Sequence, residues 1–483
     1  MLDAHADSTR KAGPGPPRVN PRLIALIVAC AMFMAQLDTS VVLVALPDMA
    51  RSFGVRPVDL SIGVTIYILA QAVLLPSSSW VADRFGTRRV FAYALAGFTV
   101  ASVLCGLSRT LPAFIAARIL QGVAAALMTP IARMVLLEST EKEDLVGVMT
   151  ISTIPMLVAP TLGPPVGGFI TTYLSWPWIF LLNVPVGVAG VVLVLRFIPP
   201  SVAAVRRPFD FVGFLLVGAA AASMLFGLDQ LSAAGSSWAV ALVLVIAGCG
   251  LGALAVRHLT RHPHPVLSLR AARIHTYAVT TLGGGALVRL PVRALPFILP
   301  LLFQEALGYS ALYSGFLLLA MNGGDLVLKT LTTRTLRAYG FRQVLVASVA
   351  AMMLAVAACA ILAGSSPYWV IFGILLLSGM ARSLVFTGLS TLAFADVPRE
   401  ELGSSSVLWN LVLQVTSALG ISLAALLLNL TSFFLGEPLG HVTVRNCQVA
   451  LAAMAIVGAL SIFSFRRLRE DAGAAVSGHA PTA

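Results

Sequence analysis

The stretch AQLDTSVVLVALP, residues 35–47, sets a carboxylate, Asp38, inside an otherwise apolar run that extends from about Leu23 to Leu46. About 20 mostly apolar residues suffice for a helix to cross a bilayer. An aspartate at the centre of such a helix costs about 2.5–3.5 kcal/mol on insertion scales. The fold turns on whether the rest of the chain is built the same way. The function turns on what offsets that cost.

The composition answers the first question. The chain has 483 residues, 58% hydrophobic and 11% charged, with a mean hydropathy of +0.92. A soluble domain carries about 25% charged residues. The net charge of +12 on a soluble protein would suggest nucleic acid, but here the basic residues fall between apolar runs, so a bilayer is expected as partner and nucleic acid is not. Cys30, Cys105, Cys249, Cys359 and Cys447 lie in or beside apolar runs. They show no CxxC pair or metal-ligand spacing, so neither a disulfide framework nor a zinc site is indicated. Residues 1–21 and 467–483 read as disordered tails. The first apolar run is too long for a signal-peptide core and lacks a cleavage pattern.

Fourteen spans are expected, near 22–46, 59–81, 89–107, 110–136, 146–170, 178–198, 211–231, 238–257, 275–303, 311–331, 343–363, 368–394, 403–430 and 446–466. An even number puts both termini on one side. Lys and Arg concentrate in the alternate loops that share that side, which places both termini in the cytoplasm. Arg118, Arg133, Arg289, Arg293 and Arg382 fall within spans. DRFGTRRV (83–90) and RAYGFRQV (337–344) align Gly86 with Gly340, Arg88 with Arg342 and Val90 with Val344. Each follows the second span of a six-span block. Residues 22–198 and 275–466 are therefore expected as two related six-helix bundles, with 199–274 as two inserted helices and their linkers. The bland alternative is that short cytoplasmic loops commonly hold Gly and Arg. Two repeated bundles with a site between them is a common transporter plan.

Three motifs carry mechanism. WVADRFGTRRVF (80–91) gathers Asp83, Arg84, Arg88 and Arg89 around Gly86, whose missing β-carbon permits a sharp reversal. Such a charge cluster can latch one conformation and release in another; simple positive-inside anchoring is the plainer account. RILQGVAAALMTP (118–130) puts Arg118 and Gln121 on one helix face, while Gly122 and the alanines allow close approach. An arginine this deep faces protein or water, unless it snorkels about 12 Å along the helix to the end of the run. PTLGPPVGGFI (160–170) offers Gly163 and Gly167 as a GxxxG face, with Gly168 beside them and Pro160, Pro164 and Pro165 bending the span.

Together these elements resemble the major facilitator superfamily, and specifically its fourteen-span drug:proton antiporters of the EmrB/QacA type. LDTSVVLVALP resembles the family's first-span signature, WVADRFGTRR its loop 2–3 motif, RILQG its span 4 motif and GPPVGG its antiporter motif; SWPWIFLLNVPVG (175–187) and KTLTTRTLRAYGFR (329–342) are also similar. The resemblance implies an all-α integral membrane protein of the major facilitator fold. It implies a proton-driven exporter of drugs or small amphipathic metabolites, multi-pass in the cytoplasmic (inner) cell membrane, acting as a monomer with protons as the coupling ion and no cofactor. Asp38 with Arg118 is expected to carry the proton, and Gln36, Gln121, Arg289, Arg293 and Asp325 to line the substrate cavity. Asp83, Arg84, Gly86, Arg88 and Arg89 are expected as the latch loop, and Gly163, Pro164, Gly167 and Gly168 as the antiporter motif. Leu43 stands where the family usually has Asn, and Arg293 and Asp325 are not part of its general signature.

GALVRLPVRALPFILP (285–300) sets Arg289 and Arg293 on one face near the middle of span 9. Its three prolines are expected to interrupt the helix and free carbonyls toward a cavity. Two cations there suggest an anionic or zwitterionic substrate group; pairing with Asp325 or Glu305 is the structural alternative. Asp325 and Arg382 are candidates to pair with each other. His258, His262, His264 and His275 show no metal geometry, and their loop reads as a basic surface for anionic headgroups. Trp176, Trp178, Trp238 and Trp369 fall where an interfacial belt would place them. No HExxH, GxSxG or phosphate loop is present, so an enzyme is not expected. An importer or exporter of a specific anionic metabolite is the closest rival.

Overall fold

Inside a bilayer a backbone N–H finds no water, so a chain this apolar satisfies its hydrogen bonds within helices or a closed barrel. This chain uses helices. The structure is a computed structural model describing residues 21–55, 62–140, 144–199, 208–232, 237–309, 311–329, 331–362, 366–436 and 442–477. Its principal helices are α1 (Pro21–Phe53), α2 (Ile62–Leu74), α3 (Thr87–Leu107), α4 (Leu111–Glu138), α5 (Leu145–Tyr173), α6 (Asn183–Phe197) and α7 (Phe211–Ser232). They continue with α8 (Trp238–Arg261), α9 (Gly284–Pro300), α10 (Ala311–Lys329), α11 (Thr332–Cys359), α12 (Tyr368–Ala395), α13 (Leu402–Phe434) and α14 (Val444–Ala459). No strand occurs among the described residues.

Helices occupy all fourteen expected segments. Among the described residues, twelve are long and apolar enough to cross a membrane. The expected tail at 1–20 and the side chains of Leu43 and Pro164 lie outside the described residues. The tail expected at 467–483 differs from the structure over 467–477. Leu468, Ala472 and Val476 are buried there, and Gly473 turns with φ 72 beside Phe341 and Leu392.

Helices α1 to α6 pack among themselves, and α9 to α14 do likewise. The pair α7 and α8 packs mainly on itself, with α7 also against α2 and α13. Local sequence sets the irregular points. Pro76 sits in a 3-10 turn, Leu75–Ser77, that joins α2 to a short helix, Ser78–Phe85; proline lacks the N–H a regular turn would use. Gly86 then reverses the chain with φ 86, ψ 138, and Gly340 in the aligned loop takes φ 71, ψ 165. Span 9 breaks ahead of Pro291 and Pro296, and only after Pro300 does it change again, from α to π geometry over Leu301–Ala306. The helix runs through Pro291 and Pro296, and the interruption lies at Leu282–Gly283, between His275–Thr281 and α9.

The buried apolar side chains divide into unequal cores. One joins both halves. It includes Ile24 and Ala35 of α1, Met134 of α4 and Val148 of α5 together with Phe394 and Trp409 of the second half. A second holds Leu37, Val41, Phe114, Ala159 and Phe180, all from the first half. The halves are thus packed together at the end that carries the start of α1 and the end of α12, and the first half keeps a separate core at the other end. Asp38 sits on α1 at the boundary between them.

Candidate functional site

Asp38 is 2% exposed and points into the first bundle, away from lipid. One carboxylate oxygen, Oδ2, accepts from Arg118 Nη1 at 2.7 Å. The other, Oδ1, accepts from Gln121 Nε2 at 2.9 Å and from Asn183 Nδ2 at 3.2 Å. Gln121 closes the ring by accepting from Arg118 Nη1 at 2.6 Å, and its amide also donates to Ser102 Oγ at 2.9 Å. Arg118 Nε donates to the Gly63 carbonyl at 3.0 Å, and the guanidinium stands 4.4 Å from the Tyr67 ring centroid. One carboxylate therefore ties α1, α3, α4 and α6 together, with α2 behind the arginine. Charge-assisted hydrogen bonds are about twice as strong as neutral ones, which answers how the cost of burying Asp38 is met.

Packing brings these groups within reach. Gly122 lies where a β-carbon would collide with Tyr67 and Ala70 of α2, so α4 approaches that helix closely. A β-carbon on Gly163 would run into Ser40, two residues past Asp38, so α5 lies flush against α1. Gly168 has open space at the same position. Gly167 is buried, and its carbonyl accepts from Thr171. Asn183 and Ser102 were not among the expected site residues; a neutral amide and a hydroxyl inside apolar segments were the available signal.

The other expected residues are dispersed. Gln36 is half-buried. Asp325 pairs with Arg382 Nε at 3.1 Å and stands 3.9 Å from Lys329 Nζ. Lys329 also donates to Thr387 Oγ1 at 3.0 Å, and Arg382 to Asn322 Oδ1 at 2.9 Å. Arg289 and Arg293 pair with neither Asp325 nor Glu305. Arg289 donates to the Thr281 carbonyl at 3.1 Å and lies 4.2 Å from the Trp409 ring centroid. In the latch loop, Arg84 stands 5.9 Å from the Trp80 ring, Arg88 donates to the Leu195 carbonyl, Arg89 is exposed and Asp83 is half-buried. Trp178, Trp238 and Trp369 are exposed as a belt requires, while Trp176 is buried against Phe53 and Phe180.

The sequence model of the Major Facilitator Superfamily matches residues 28–421 and again 281–481. The chain belongs to the Major Facilitator Superfamily. It is 36% identical over 409 residues to "Putative multidrug resistance protein MdtD" of Cronobacter sakazakii, covering 85% of this chain and 86% of that one. It is 34% identical over 445 residues to the protein of that name from Escherichia coli K12, covering 92% and 94%. Among solved structures, the human organic anion transporter MFSD10 (TETRAN) superposes with a TM-score of 0.65 at 15% identity, over 93% of this chain and all of that one. The proton:xylose symporter XylE gives 0.62 at 13% identity, over 94% and 97%. These two likenesses establish the fold. As a member of this superfamily the chain is a multi-pass membrane transporter of small molecules, not an enzyme.

Proposed function

We propose that this superfamily member is a proton-coupled exporter of drugs or small amphipathic metabolites. It works by alternating access between halves 22–198 and 275–466, with 199–274 as an inserted pair. The observation that carries the reading is Asp38, buried among three donors that all belong to the first half. Support for export comes from relatives named for multidrug resistance. An ionised Asp38 satisfies Arg118, Gln121 and Asn183 at once. A protonated Asp38 gives up the ion pair. Motion of α1 against α4 that lengthens the Asp38–Arg118 contact therefore favours proton uptake, and restoring the contact expels the proton.

The protein acts as a monomer in the inner membrane with both termini cytoplasmic and needs no cofactor beyond the coupling proton. The loop holding Asp83, Arg84, Gly86, Arg88 and Arg89 latches the closed end. Within the motif of Gly163, Pro164, Gly167 and Gly168, it is Gly163 that keeps α5 against the coupling helix. One charge crossing 100 mV supplies about 2.3 kcal/mol, or about a fifty-fold concentration ratio. A second reading, transport of a specific anionic metabolite, is favoured by the buried Arg289 and the half-buried Arg293. The test is drug uptake into inverted vesicles under an imposed pH gradient. Asp38→Asn is expected to abolish gradient-driven uptake, and unchanged uptake in that variant removes Asp38 from the mechanism.

A further inference from the structure

We infer that the substrate is an anion bearing two or more negative charges, held between the halves by Arg133 of α4 and by Arg289 and Arg293 of α9 against the Trp409 ring. The inference rests on the transporter reading above and adds the chemical class of the cargo. Arg133 reaches from the first half to the second, where its guanidinium carbon stands 5.5 Å from the Phe394 ring centroid and 5.4 Å from that of Trp409. Arg289 lies over the same indole at 4.2 Å. Two cations, one from each half, therefore share one aromatic ring. Arg293, one turn beyond Arg289, is half-buried, as is Arg133, while Arg289 is fully enclosed.

None of the three meets a carboxylate among the described residues. The acid nearest in kind, Asp325, is taken by Arg382 and Lys329, and Asp38 is taken by Arg118. Arg133 Nε and Nη1, Arg289 Nε and Arg293 Nε are buried with no acceptor. A guanidinium stays charged in proteins and offers five donors in a fixed fork. Leaving such donors unsatisfied away from water is costly, and contact with the face of Trp409 offsets only part of that cost. A carboxylate or similar oxyanion matches the fork with two parallel hydrogen bonds. Three cations without acids call for more than one negative charge. A cation placed there meets like charge on both sides.

Structure also explains how Arg289 is held in place. The helix break at Leu282–Gly283 leaves the Thr280 and Thr281 carbonyls without helical partners. Arg289 donates to both, at 3.5 and 3.1 Å. Gly285 has no room for a β-carbon against Thr280, so the chain folds back tightly enough to present those carbonyls. Tyr277, on the segment before the break, is fixed by donating to the Ser405 carbonyl at 2.6 Å.

The experiment is equilibrium binding to the purified full chain without a pH gradient. Probes are benzene-1,3-dicarboxylate, benzene-1,4-dicarboxylate, butanedioate, the monomethyl ester of benzene-1,4-dicarboxylate and a benzene-based bis-ammonium dication. At least one dicarboxylate is expected to bind and raise the melting temperature, with the ester about tenfold weaker or worse and the dication without effect. Arg133→Gln and Arg293→Gln are each expected to weaken the best dianion at least about tenfold, with Arg293→Lys recovering part of the loss. Preference for the dication, no dicarboxylate binding, or unchanged dianion affinity in both Gln variants overturns the inference. If a Gln variant does not fold, the probe panel on the unmodified chain and Arg293→Lys decide alone. Binding can fail while gradient-driven drug export persists, and can hold while export fails, so the two readings fall separately.

Discussion

Gly403, near the start of α13, and Ser79, in the short helix after α2, stand so close that a β-carbon on the glycine lies 3.2 Å from that of the serine. The contact joins the two halves at the end where their apolar cores are continuous. Disulfides need β-carbons about 3.8 Å apart. In a background cleared of the five native cysteines, Ser79→Cys with Gly403→Cys is expected to cross-link on mild oxidation. Transport should then stop almost completely and recover on reduction, because the halves must part here for access to alternate. Full transport by the cross-linked species, scored by gel shift beside vesicle uptake, would show that they do not separate at this point.

Arg118→Ala leaves the Asp38 carboxylate buried without its charge partner. Breaking such a pair costs about 3–5 kcal/mol, which should appear as a large fall in melting temperature of the purified protein. Asp38→Asn in the same chain removes the stranded charge and is expected to recover much of the loss. Asn183→Ala removes one neutral donor and should cost only about 0.5–1.5 kcal/mol. Equal effects of Arg118→Ala and the double variant would mean that the two residues do not act as a pair.

Gly163 and Gly168 belong to the same motif but differ in surroundings. A β-carbon at Gly163 meets Ser40 of α1, whereas at Gly168 it meets nothing within 4 Å. Gly163→Ala is expected to destabilise by about 1–3 kcal/mol through overpacking and to lower transport, since it displaces the helix that carries Asp38. Ser40→Gly should restore both. Gly168→Ala should stay within about 0.5 kcal/mol of the unmodified protein. The two single variants, compared by thermal melting and drug uptake, settle the difference.

What the sequence made legible was local. Apolar runs located every long helix, and Asp38, Arg118 and Gln121 stood out because charged and polar groups in such runs need partners. Gly86 and Gly340 could be paired from eight-residue loops because a reversal with positive φ leaves a fixed sequence mark. Partner identity was not local. Arg289 suggested an anionic substrate group or pairing with Asp325 or Glu305; within the chain it binds instead two carbonyls exposed by a break that three successive glycines permit, Gly283 to Gly285. Asn183 and Ser102 were passed over because neutral polar groups leave a weak trace. Lys329 lies near the end of the expected span at 311–331, yet it is 2% exposed and hydrogen-bonded inside the second bundle. Trp409, which links Arg133 to Arg289, carries no charge to draw attention and matters only through tertiary contact.

Asp210, just before α7, supports the inserted pair from outside the membrane. Burial raises its carboxyl, but hydrogen bonds from the Gly213 N–H, from His258 and from the Val266 N–H outweigh that and hold it below the usual carboxylate range. The Gly213 and His258 contacts are 2.8 and 2.9 Å long, and the Val266 contact is 3.2 Å. They join the start of α7 to the end of α8 and to the loop beyond it. A carboxyl whose folded pKa is depressed stabilises fully above its unfolded value of about 3.9 and loses that contribution as pH falls through the lower folded value. Asp210→Ala is therefore expected to cost about 1–3 kcal/mol at pH 7. The gap in melting temperature between variant and unmodified protein should narrow only below about pH 4. A gap that instead widens on acidification below that point would mean that the carboxylate is not the group stabilised by folding.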